Sequence, residues 1–110
     1  MDPRSERLAR NEAVFRAGNE AIDSNLATAG LEEPREYLCE CGDAACLDRV
    51  SLTGGEYESI RAHPARFFVA PGHEDLSAGE IVVEETSRYT VVEKQGDEGK
   101  VVERTDPRAA

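Results

Sequence analysis

A chain of 110 residues with no Trp, three Phe, three Tyr and one Met has the length of one domain and only a modest core to bury. Its 23 acidic residues against 13 basic ones give a net charge of −10, and such a surface repels phosphate backbones and anionic headgroups, which argues against a nucleic-acid or membrane partner. The opening MDPRSERLAR has no apolar stretch of signal-peptide length, and no run nears the ~18 apolar residues of a spanning helix, so the chain is read as cytoplasmic.

Asp2-Pro3 has the form of a helix start, an acidic N-cap followed by proline at the first helical position. Leu8, Phe15 and Ile22 then recur every seven residues, with Val14, Ala21 and Leu26 on the same side. The pattern predicts one amphipathic helix from Pro3 to about Ala29, ended by Gly30. Its stripe is available to a protein partner, to a second copy or to the chain's own sheet. Asn11, Gly18 and Asn25 at the complementary positions speak against a coiled coil. Leu31–Glu36 reads as an acidic linker broken by Pro34.

Tyr37–Cys41 reads as a strand, and Val50 and Leu52 mark a second. Thr53 and Glu56 make a capping box for a helix carrying Tyr57 and Ile60, closed by Pro64. Phe67–Val69 is a short buried strand, followed by a Pro71-Gly72 turn. A meander Ile81–Glu85, Arg88–Lys94 and Val101–Glu103, with a turn at Gly96–Gly99, completes an α+β arrangement with a mostly antiparallel sheet. The organisation expected is an N-terminal helix within residues 1–30 and a zinc-stabilised α+β unit over 37–104, in one domain overall.

The chemistry concentrates in Cys39-Glu40-Cys41-Gly42-Asp43-Ala44-Ala45-Cys46. Residues i and i+2 of a strand share a face, so Cys39 and Cys41 can point at one centre, and Gly42 permits a turn that returns Cys46 to it. An odd set of three cysteines in a reducing compartment fits a disulfide framework poorly. Thiolates in tetrahedral geometry suit Zn2+. His73, on the rigid Pro71-Gly72 turn, is the expected fourth ligand. His63, at a helix end where it can cap carbonyls, Asp43 and a water are the alternatives. Two further readings compete: a redox trio in which Cys41 and Cys46 bridge and Cys39 resolves, and iron–sulfur ligation, which ordinarily takes four cysteines.

Leu38-Cys39-Glu40-Cys41-Gly42-Asp43 with Cys46, then Glu56-Tyr57-Glu58, Arg61, Pro64, Arg66-Phe67, Pro71-Gly72-His73-Glu74 and Val91-Val92-Glu93-Lys94, resemble a group of small bacterial proteins of the high-GC Gram-positive type. The likeness, a CECGDxxC…PGHE…VVEK pattern, covers nearly the whole chain, and the cysteine cluster is its most specific part. It implies a stand-alone cytoplasmic protein and brings no activity with it. Cys39, Cys41, Cys46 and His73 match the pattern, whereas His63 does not.

The function expected from the residues is a non-enzymatic zinc-binding interaction or regulatory module, because four protein ligands leave no position for substrate. The alternatives are an open-site, hydrolase-like zinc enzyme with Glu74 or Glu40 as general base, and a nucleic-acid-binding zinc protein. Against the first, the HExxH and H-x-E…PCxxC signatures are absent. Against the second, Arg4, Arg7, Arg10 and Arg16 alternate with Asp2, Glu6, Glu12 and Glu20.

Overall fold

A computed structural model describes residues 3–26, 30 and 32–108. In order, the elements are α1 (Pro3–Asn25), β1 (Pro34–Leu38), β2 (Arg49–Thr53), α2 (Gly54–Arg61), β3 (Arg66–Val69), a 3-10 turn at Leu76–Ala78, β4 (Glu80–Glu85), β5 (Thr90–Lys94) and α3 (Gly96–Arg104). The α+β class read from the sequence is what the chain forms. The strands make two antiparallel sheets, β1-β2 and β3-β5-β4.

Side-chain alternation explains how a few large residues suffice for the core. Adjacent Phe67 and Phe68 on β3 point to opposite faces, as do Val91 and Val92 on β5. Phe68 and Val91 join Tyr37, Val50, Leu52, Tyr57, Ile60 and Tyr89 in one cluster. Phe67 and Val92 meet Ala9 of α1 and Val102 of α3 in the other. Tyr37 and Tyr57 stack with ring centroids 4.5 Å apart, and Phe68 sets its ring edge-on to both at 5.9 Å. The Thr53–Glu56 capping box forms as expected, opening α2 directly from the end of β2.

Three expectations are corrected. Val101–Glu103 is no strand but the end of α3, which starts at Gly96 with Asp97 and Glu98 in its first turn, where the helix dipole favours acids. Gly99 belongs inside this helix because a Cβ there would lie 2.8 Å from the Lys94 carbonyl oxygen. The cysteine-bearing strand ends at Leu38, and its start at Pro34 absorbs half of the expected linker. Third, the apolar stripe of α1 meets the chain's own core only in part, with Ile22 packed against the Tyr37 cluster. Val14 is 68% exposed, and Leu8, Phe15 and Ile22 are half-buried. The inward face is Ser5, Ala9, Glu12, Arg16 and Asn19. The Asp2 cap and the continuation of the helix over Ala27–Ala29 lie outside the described residues.

Glu12, Arg16 and Asn19 of that inward face find partners on the rest of the fold. Arg16 donates to the carbonyls of Pro64 and Val102 at 2.7 and 2.6 Å while its guanidinium sits over Phe67. Glu12 meets Lys94 at 2.9 Å, and Lys94 reaches Glu80 at 3.0 Å on its other side. Asn19 accepts from the Leu38 N–H and donates to the Leu38 carbonyl and to Glu40. Glu12, Arg16 and Asn19 therefore trade water for specific partners, the condition under which such burial is tolerated, although the buried Arg16 Nε finds no acceptor among the described residues. No helix among the described residues is long and apolar enough to cross a membrane.

Candidate metal centre

Four side chains from three places in the sequence converge. Cys39, Cys41, Cys46 and His73 present one ligand atom each, and these four atoms lie within 4.8 Å of one another. His73 Nδ1 is 3.6 Å from Cys39 Sγ and 3.7 Å from Cys46 Sγ. A tetrahedral ion with bonds of about 2.3 Å to sulfur and about 2.0 Å to imidazole nitrogen separates sulfur from nitrogen by about 3.6 Å. The spacing thus suits a single metal ion at the centre.

Local structure explains the convergence. Cys39 is pinned on both sides: its N–H bonds the Asp48 carbonyl, and its sulfur accepts the Ala70 N–H at 3.2 Å. Glu40 N–H bonds the Phe68 carbonyl at 3.0 Å, so the chain leaving β1 also lies along β3. Gly42 has φ +82°, where an L side chain is strained. A Cβ there would also press on Leu8 and Glu12 at 3.2 Å. The turn it makes is closed by Cys46 N–H on the Asp43 carbonyl at 3.0 Å, with the Asp43 carboxylate accepting Ala45 N–H. On the other side Gly72, at φ +88°, reverses the chain so that His73 N–H bonds the Ala70 carbonyl.

The electrostatics favour an anionic sulfur at Cys41, whereas burial raises the Cys46 thiol. A hydrogen bond from Cys39 lowers the Cys41 thiol to about 5, helped by the Asp43 backbone N–H and by His73. Cys39, which gives up that hydrogen bond and is buried, is pushed the other way. Asp48 Oδ2 lies 3.2 Å from His73 Nε2. With its proton on Nε2 toward Asp48, the imidazole turns the Nδ1 lone pair to the sulfurs, the usual arrangement of a ligating histidine backed by a carboxylate.

Glu40 proves to be a structural anchor that sequence reasoning assigned elsewhere. It is fully buried and accepts Arg61 Nη1 at 2.6 Å, Arg61 Nη2 at 2.9 Å, Asn19 Nδ2 at 2.8 Å and Phe68 N–H at 3.2 Å. A carboxylate so engaged has no lone pair left for a water at the sulfurs, so it does not serve as a general base there. Glu74 accepts from Gly72 N–H at 3.2 Å. The other histidine, His63, is exposed, lies past the end of α2 and lines a different cleft, beside Lys94 and Glu93. Asp48, Asn19 and Arg61 were not foreseen as supports. Only the short distance of Asp48 from Cys46 in sequence hints at its place.

A solvent-open cleft of about 600 Å3 borders the cluster, walled by the first turns of α1 at Arg4, Leu8 and Asn11 and reaching Cys41 and His73. Arg4 pairs across it with Asp75 at 2.6 Å. Comparison with protein-family models, with curated proteins and with solved structures gives no significant match.

Proposed function

We propose that this protein holds one Zn2+ ion on Cys39, Cys41, Cys46 and His73 Nδ1, as the structural centre of a non-enzymatic interaction or regulatory module. The observation that carries this reading is the meeting of four soft or borderline ligand atoms within 4.8 Å, with the histidine backed by Asp48. Thiolate and imidazole ligands select zinc over the hard cations, and a four-ligand set is closed to substrate. The centre ties the β1–β2 connection to the β3–β4 connection. Against the catalytic alternative stands the engagement of Glu40 with Arg61. Elemental analysis of protein purified without chelator tests the proposal. One zinc per chain, with a loss of thermal stability on chelation, supports it, whereas iron, no metal, or an unchanged melt contradicts it.

A further inference from the structure

We infer that the centre is also a modification site, at which hydroperoxides oxidise Cys41, Cys46 closes a disulfide onto it, and the metal is released. The inference rests on the metal reading above and adds an order of reactivity among the three thiolates. Cys39 is 1% exposed and held by the Ala70 N–H, so it is shielded from a reagent in solution. Cys41 lines the open cleft between α1 and the metal loop, which is wide enough for a small peroxide. Cys46 is half-exposed on the loop of exposed residues 43–45.

The second step is decided by what each neighbour must move. A Cys39–Cys41 bridge would have to turn out Glu40, the residue between them, which is bonded to Arg61, Asn19 and β3. A Cys41–Cys46 bridge disturbs the short turn from Gly42 to Ala45, which is held by the Cys46 N–H on the Asp43 carbonyl, the Ala45 N–H on the Asp43 carboxylate and the Asn11 amide on the Gly42 carbonyl, and leaves the buried Glu40 in place. Their sulfurs already lie within 4.8 Å and need to approach to about 2.05 Å.

The chemistry balances as follows. The Cys41 thiolate attacks one oxygen of ROOH, an S–O bond forms, the O–O bond breaks, and the leaving alkoxide takes a proton to become ROH. The Cys46 thiolate then attacks the Cys41 sulfur, an S–S bond forms, and the departing hydroxide takes a proton to become water. Two electrons pass from the sulfurs to the peroxide bond. The ion keeps Cys39 and His73, too few to hold it, and dissociates.

The test uses the full zinc-loaded chain, its zinc content measured first, then titrated with hydrogen peroxide while a colorimetric chelator reports free zinc. Trypsin cleaves after Arg35 and Arg49, which leaves all three cysteines in one peptide, residues 36–49. After alkylation of free thiols the expected peptide carries one alkyl group, on Cys39, and zinc appears in proportion to disulfide. In Cys46→Ser a dimedone adduct should appear on Cys41. A bridge that includes Cys39, or zinc retained in excess peroxide, overturns the inference. Absence of zinc at the outset instead removes the metal reading, and the disulfide map of that same sample still decides the order of the thiols. If Cys46→Ser does not fold, the map on the unaltered chain is sufficient.

Discussion

The Arg61 guanidinium grips both carboxylate oxygens of Glu40, at 2.6 and 2.9 Å, in a site where neither side chain is more than 2% exposed. Glu40 is the residue between Cys39 and Cys41, so this buried pair fixes the backbone from which two of the four candidate ligands project. Alternation along the extended chain sends the cysteines to one side and Glu40 to the other.

Arg61→Met should therefore be among the most damaging single changes. It leaves Glu40 charged in the interior, with a cost of about 3–5 kcal/mol. Denaturant unfolding measures it. The double variant Glu40→Gln/Arg61→Met should cost less than the sum of its two single changes, since it removes both charges of one interaction.

Glu12 predicts a pH dependence. Burial pushes its carboxyl up to about 8, against the pull of Lys94. Between the unfolded value of 4.5 and about 8 the folded state holds a proton that the unfolded state has lost. Stability is then fully present below about 4.5 and falls as pH rises toward 8. A raised carboxyl of this kind costs on the order of 5 kcal/mol across the window. Glu12→Gln should flatten this fall. A melting temperature of the unaltered chain that climbs steadily from pH 5 to 8 would contradict the assignment.

Glu56 works in the opposite sense. Arg88 draws its carboxyl down to about 2, so its contribution is present above the ordinary carboxylate value and disappears as pH falls through about 2. Glu56→Ala removes half of the capping box and the Arg88 pair together. The expected loss at pH 7 is about 1–2 kcal/mol, most of it from the cap because the ion pair is partly exposed.

Substitutions around the imidazole separate ligand from bystander. His73→Ala should abolish tight metal binding, and His63→Ala should leave it unchanged. Asp48→Asn should weaken zinc affinity by about tenfold, the lower end for carboxylates that support ligating histidines, since Asp48 is itself exposed. Competition against a chromogenic chelator measures all three, and equal affinities in His73→Ala and the unaltered chain would reverse the assignment.

The cluster was legible because it depends on spacing. Three cysteines in eight residues, a glycine after the second, and a histidine behind Pro-Gly can be read without knowing the fold. The α1 face was misread for the opposite reason. Hydrophobic periodicity assumes an apolar partner surface, yet Arg16, Asn19 and Glu12 face carbonyls, Glu40 and Lys94, a set assembled only by the tertiary fold. The α3 helix was missed because Gly96 and Gly99 look like a turn. Gly99 is there for the close approach of Lys94, and Val102, fully buried against Ala9 and Phe67, supplies the packing that holds the helix.

Zinc K-edge X-ray absorption on the purified protein tests the central claim most directly. The account predicts a first shell of three sulfurs at about 2.3 Å and one nitrogen at about 2.0–2.1 Å, with the nitrogen replaced by oxygen or lost in His73→Ala. A shell with two sulfurs, or one that keeps its nitrogen in His73→Ala, would contradict it.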